Sequence, residues 1–252
     1  MGKIKDIIFD GDGTLYKTSD ELFKAHDNFF LDTILSSQAV TRKQAQVMLT
    51  EGAKREGSQT GYLKSLGIGG GNIRTIVQMM EESAWDKTKI LLAKDERLKK
   101  MLFELKEKGN GIYVLRNGTF GRTKKILNSL LGYYNGPDRG GISVETSTNS
   151  RMETESQTVK PFDAIWPTAE LGIMKPNIAA FEGLMREHNL IPERTLMVGD
   201  RPRVDLFPAK ALGMDTAQVH WNETTLSDQE DKRIDYHLQS IYHLPMLLEY
   251  IR

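Results

Sequence analysis

The chain has 252 residues, enough for one large domain or for a core with a smaller insert. Its 34 basic residues balance 34 acidic ones, so no charge excess points to nucleic acid or to an anionic membrane surface. The absence of cysteine removes disulfides, thiol nucleophiles and thiolate metal sites, and it fits a reducing compartment. No apolar run approaches the ~20 residues of a membrane span. A pair of aspartates stands within the first dozen positions, so no signal peptide is expected. The expectation is a cytoplasmic protein, monomer or homodimer, with no nucleic-acid or membrane partner.

In chain order, Ile7-Ile8-Phe9 is a short apolar run that predicts a buried strand, and it ends in Asp10-Gly11-Asp12-Gly13-Thr14-Leu15. The glycines make a turn at the strand's end, which sets both acids in a loop at a carboxyl edge. Open α/β sheets place their ligands at such edges. Two neighbouring carboxylates repel, so a cation or a shared proton is expected between them. A bare Gly/Asp turn would leave the same trace. A calcium loop would use Asp10, Asp12 and Glu21, but it needs glycine where Leu15 stands and a helix where Ile4 to Phe9 reads as strand.

From Ser19 to Lys94 the pattern is helical throughout. Ser19 is a candidate N-cap, with Leu22, Phe23, Phe29, Phe30, Ile34 and Leu35 at helical spacing. A second helix is predicted from the Thr41 cap to Arg55, ending near Gly57. Leu66 to Gly71 is a break, and its glycines lack the lysine of a P-loop. A longer helix is predicted over Asn72 to Ala93, with Met79, Met80 and Trp85 as bundle core.

After Asp95 strands and helices alternate, which predicts a parallel sheet. Strands are predicted at Ile112–Leu115, Ala164–Trp166, Thr195–Val198, Thr216–Val219 and Tyr236–Leu238. Helices are predicted at Glu96–Lys108, Thr123–Leu131, Ile178–His188, Leu206–Leu212 and Leu244–Tyr250. The stretch from Tyr133 to Lys160 is polar and longer than the usual ~2–6 residues of an α/β connection, so it reads as disorder or a small hairpin. The fold class is therefore α/β, a doubly wound, mostly parallel, Rossmann-like sheet. Residues 1–18 and 95–252 make the core, 19–94 an inserted all-helical cap, and 133–160 a polar insertion.

Four groups fall at the carboxyl ends of successive strands. Asp10 and Asp12 close the first, and Arg116-Asn117-Gly118-Thr119 the second. Lys175 follows the third, and Gly199-Asp200 closes the fourth with Asp205 five residues on. Together they resemble the haloacid dehalogenase superfamily. Its first motif, Asp-x-Asp-Gly-Thr-Leu, matches Asp10 to Leu15. Its third-motif lysine matches Lys175, and its fourth motif matches Gly199, Asp200 and Asp205. The helical block after the first motif is similar to that family's cap. The second motif departs from the pattern, because Arg116 stands where a serine or threonine is expected.

The resemblance implies a Mg²⁺-dependent phosphatase acting on a small phosphorylated metabolite. A nucleoside monophosphate, phosphoglycolate or a sugar phosphate is admissible as substrate. Asp10 would be the nucleophile, forming an aspartyl-phosphate. Asp12 would protonate the leaving group and then deprotonate water. Asp10, the backbone carbonyl of Asp12, and Asp200 would form the Mg²⁺ set, with Asp205 orienting it. Lys175 would neutralise phosphate oxygens and nucleophile as charge builds. Arg116, with Asn117 or Thr119, is expected on the phosphate, against an arginine turned outward to a surface carboxylate. A phosphomutase on the same fold and a catalytically silent binding protein remain the alternatives.

Overall fold

The computed structural model describes residues 4–88, 92–132, 161–221 and 231–251. Strand β1 (Asp6–Phe9) lies at the centre of the sheet, between β2 (Gly111–Arg116) and β4 (Thr195–Gly199). Strand β3 (Ala164–Pro167) extends the sheet beyond β2, while β5 (Asp215–Val219) and β6 (Tyr236–Leu238) extend it beyond β4. All pairings are parallel, in the order β3-β2-β1-β4-β5-β6. The chain thus turns back on itself at β1 and β4, and a ligand crevice forms outside the carboxyl ends of strands at such a reversal.

Side-chain alternation along the strands feeds two cores. Ile7 and Phe9 face one side, with Ile112, Val114, Leu196 and Val198. There they meet α5 (Glu96–Glu107) and α6 (Phe120–Leu131), through Leu102, Leu105, Ile126 and Leu130. Ile8, Tyr113, Leu115 and Met197 face the other side, against Phe181 and Leu184 of α7 (Ile178–His188) and Ala209 of α8 (Phe207–Ala211). The remaining helix, α9 (Leu244–Tyr250), closes the first layer with Leu244 and Leu248.

Between β1 and α5 the described chain is helical. Helix α1 (Asp20–Ser37) starts at the Ser19 cap, and α2 (Arg42–Glu56) starts at a Thr41/Gln44 capping box and stops at left-handed Gly57. Helix α3 (Gln59–Ser65) follows, then α4 (Ile73–Thr88). Their apolar faces form a third core around Phe30, Ile34, Leu49, Leu63, Ile76 and Val77, which also takes in Ala169.

Several sequence expectations change. No helix is expected between Gly57 and the break at Leu66 to Gly71, yet the short α3 forms there, capped by Ser58 Oγ accepting from Gly61 N at 2.9 Å. Met79, expected in the bundle core, is exposed. The predicted helix to Ala93 is too long: α4 ends at Thr88, and Leu92 to Asp95 are not helical. The expectation for 133–160 lies outside the described residues. No helix among the described residues is long and apolar enough to cross a membrane.

Helix α2 meets α3 at Gly52, where an added Cβ would lie 2.2–2.5 Å from ring carbons of Tyr62. Alanine there gains about 1 kcal/mol of helix propensity. Forcing a methyl into this contact costs typically ~1–3 kcal/mol. Gly52→Ala should therefore lower the melting temperature in a thermal scan; a rise would mean that Tyr62 moves aside freely.

Candidate active site

The carboxyl end of β1 carries the first acid. Asp10 continues the pairing by one residue, its N–H donating to Val198 O at 2.9 Å. Its Oδ1 accepts from Lys175 Nζ at 2.6 Å, and the same ammonium donates to Asp205 Oδ1 at 2.7 Å. All three side chains are buried. Burial raises the Asp10 carboxyl above its ordinary range, against the pull of Lys175 and with a further push from Asp205. Burial also opposes the charge on Lys175, but Asp10 and Asp205 outweigh it and raise the lysine's pKa.

Lys175 is held by its backbone. Asn117 Oδ1 accepts from Lys175 N at 2.8 Å and from Thr168 Oγ1 at 2.8 Å, while Asn117 Nδ2 donates to Lys175 O at 2.9 Å. The Asn117 amide thus braces the β2 loop against the β3 loop.

Asp200 follows β4, and the next turn is a single π-helical one, Pro202–Leu206. That turn folds Asp205 back, so that its Oδ2 accepts from Arg201 N at 3.1 Å. The carboxylates of Asp10, Asp200 and Asp205 can each offer an oxygen within 4.8 Å of the others. Asp10 Oδ2 and Asp200 Oδ1 are buried without a hydrogen-bond partner among the described residues. Burial, then the charges of Asp10 and Asp205, push the Asp200 carboxyl up to about 8. Crowded hard oxygens, two of them unpartnered, are a donor set that suits Mg²⁺. Gly13 makes room for it: with φ at +82°, it brings the loop so close to Asp200 that a Cβ would lie 2.3 Å from Oδ2.

Asp12 faces the other way. Arg116 donates from Nε to its Oδ2 at 2.7 Å and from Nη2 to its Oδ1 at 3.3 Å, and the Tyr16 hydroxyl donates to Oδ1 as well. Burial pushes this carboxyl up, but Arg116 and the Tyr16 hydrogen bond outweigh burial and hold it below its ordinary range. Burial and the Asp12 charge raise the Tyr16 hydroxyl well above its usual value, so it stays a donor. An ionised Asp12 suits the proton-accepting half of the expected role better than the proton-donating half.

Arg116 is not turned outward: its side chain is buried, and Nε, Nη1 and Nη2 each donate to protein oxygens. The remaining arm, Nη1, donates to Glu81 Oε1 at 2.7 Å and to Thr123 Oγ1 at 3.2 Å. Thr119 is the N-cap of α6, and its hydroxyl donates to Glu81 Oε2 at 2.5 Å. The pairing of Arg116 with Asp12 and Glu81 is thus what this second-motif loop is built around.

Sequence reasoning missed Glu81, Tyr16 and His26. Glu81 was findable, because it falls in the buried stripe of α4 with Val77, Met80, Ala84 and Trp85. An acid in such a stripe needs a cation. His26, on α1, is kept from charging mainly by burial, with Asp12 pulling the other way, and its Nε2 is buried without a partner among the described residues. Its approach to the site depends on how α1 packs, which no local pattern gives.

A family model described as HAD-hydrolase-like matches residues 173–244. A glyceraldehyde 3-phosphate phosphatase of Methanothermobacter thermautotrophicus is 24% identical over 238 residues, covering 90% of each chain. A glyceraldehyde 3-phosphate phosphatase of Pyrococcus furiosus is 36% identical over 78 residues, and that match spans 31% of this chain and only 32% of the relative. Among solved structures, a HAD phosphatase from Thermococcus onnurineus superposes with a TM-score of 0.58 at 18% identity, covering 97% of both chains. That likeness is one of fold. The six-stranded parallel sheet, the acids and lysine in motif order at its carboxyl edge, and these matches all make the chain similar to HAD-like hydrolases, with the family model itself matching residues 173–244.

Proposed function

We propose that this protein is a Mg²⁺-dependent phosphatase that hydrolyses a small phosphorylated metabolite through a phosphoryl group carried on Asp10. One observation carries the reading: Lys175 grips one oxygen of buried Asp10 at 2.6 Å and leaves the other, Oδ2, without a partner among the described residues. A nucleophile needs such a free oxygen next to fixed positive charge.

Asp10 Oδ2 would attack phosphorus as the ester oxygen leaves with the proton that Asp12 holds from the previous turnover, and Lys175 would offset charge on the phosphoryl oxygens. Water would then attack the acyl phosphate, and Asp12, kept ionised by Arg116, would take its proton. Asp10, Asp200 and the backbone carbonyl of Asp12 would hold the Mg²⁺, with Asp205 close enough to join or orient it. When bound, the ion supplies positive charge where carboxylates and a phosphate dianion must meet. The relatives' activity makes glyceraldehyde 3-phosphate the first ester to test, beside phosphoglycolate and nucleoside monophosphates.

Asp10→Asn keeps the shape but gives up the nucleophile. Phosphate release should fall by ~10³-fold or more, in line with the loss of other catalytic nucleophiles. The melting temperature should hold, since less crowding of Asp200 and Asp205 offsets a weaker hold on Lys175. Turnover near wild type in a folded variant would remove Asp10 from that role.

The carboxylate cluster also predicts how stability responds to pH and Mg²⁺. An acid with a folded-state pKa near 8 and an ordinary value when unfolded binds its proton only in the folded state between those limits. Without Mg²⁺, stability should therefore fall as pH rises from the ordinary carboxylate range toward about 8 and level off above it. Mg²⁺ at ~100 times its dissociation constant should add about 2.7 kcal/mol. That corresponds to roughly 5–10 °C for a chain of this size. It should also flatten the pH slope, and Asp200→Asn should abolish both effects. An unchanged melting temperature with Mg²⁺ would speak against the site.

A further inference from the structure

We propose that Glu81 is a positioning residue for the reaction: from α4 it fixes the Arg116 guanidinium, and through it the Asp12 carboxylate. The acid/base would then be ordered only while the inserted helices are seated against the sheet. This rests on the phosphatase reading.

The chain of contacts is continuous and buried. Glu81 Oε1 accepts from Arg116 Nη1 at 2.7 Å, with both side chains 3% exposed or less. Both Glu81 oxygens also lie 3.3 Å from Thr119 N, and Oε2 accepts from the Thr119 hydroxyl at 2.5 Å. Arg116 turns its Nε and Nη2 to Asp12. The guanidinium passes close against two glycines. A Cβ at Gly118 would stand 1.8 Å from Nη1, and one at Gly11 would stand 2.9 Å from Cδ.

Two acids on one arginine divide its fork between them. Take Glu81 away, and one arm of a buried guanidinium loses its charged partner. The ion then has reason to turn, and the bidentate hold on Asp12 turns with it. Arg116 and Glu81 are thus a matched pair, each explaining why the other stands in a buried place. A staple that only joins helix to sheet would be satisfied by the Glu81 contact alone. Here the opposite face of the same guanidinium ends on Asp12.

The test is a double-mutant cycle with Glu81→Gln, Arg116→Thr and the combined variant. Hydrolysis of p-nitrophenyl phosphate and of glyceraldehyde 3-phosphate is followed with Mg²⁺ present, and each variant's melting temperature is recorded. Glu81→Gln should lower kcat by ~10–100-fold, the range for groups that orient a catalytic residue, with KM nearly unchanged. The combined variant should lose less than the product of the two single losses, because neither charge is then left alone. Arg116→Lys keeps a cation for Glu81 but gives up the fork, so it should fold and still lose kcat. That variant decides the matter if Glu81→Gln does not fold. Wild-type kcat in folded Glu81→Gln or in Arg116→Lys, a change confined to KM, or losses that simply multiply would overturn the inference. A wild-type enzyme that releases no phosphate from any ester would instead overturn the phosphatase reading, and this inference with it. An active wild type with multiplying losses would overturn the inference alone.

Discussion

Lys175 sits between two buried carboxylates, and the surrounding site depends on that ammonium. Each ion taken out of water costs several kcal/mol, which only close pairing repays. Asp10 and Asp205 satisfy Lys175, and Asp12 and Glu81 satisfy Arg116. The remaining carboxylate is Asp200, whose nearest cation contact is Arg201 Nε at 3.8 Å. Negative charge in excess of pairing is therefore concentrated at one place, beside the unpartnered oxygen of Asp10. A structural ion-pair cluster would have no reason to leave charge open there. The open charge fits the proposed uptake of a divalent cation and a phosphate there.

The backbone makes this crowding possible. Because β1 runs between β2 and β4, one loop can meet residues brought by both neighbours. Arg116 crosses the loop on the β2 side, and Asp200 closes over it from β4. Glycines at 11 and 13 are the places where those side chains pass. Moving either strand by one register position would turn its side chains to the opposite face and take the site apart.

The sheet, the order of the acids at its edge, and the helical block were legible in the sequence, because each rests on short-range patterns. Ile7 to Phe9 is an apolar run, Thr41/Gln44 is a cap, Asp10 and Asp200 stand directly after strands, and Lys175 lies in the loop that follows β3. What escaped was long-range. Asn117 is as much a polar loop residue as Thr119, and only the fold sets its amide against the Lys175 backbone. Arg116 could have pointed to phosphate or solvent on local grounds. Its direction is decided by Asp12, 104 positions away, and by Glu81, 35 positions away. The missed helix α3 depends on a single serine cap and on Tyr62 packing over Gly52. Seven residues are too few to show a period.

The same contacts say what seats the inserted helices. Their apolar core reaches the sheet domain through Ala169, with Met174 packed beside it, in the loop that leads into Lys175. Arg74 reaches Glu170 of that loop at 2.7 Å, but the arginine is 58% exposed, and such a pair contributes about 0–1 kcal/mol. Glu81 is different in kind. It is buried, takes the capping donors of α6 as well as Arg116, and would be costly to leave unpaired at ~3–5 kcal/mol. The seat of α4 therefore combines apolar burial, since Ala84 and Trp85 join the sheet-side core, with one carboxylate that must find its donors. Those donors belong to the loop that grips Asp12, and a hydroxyl at position 116 could not have served both acids at once.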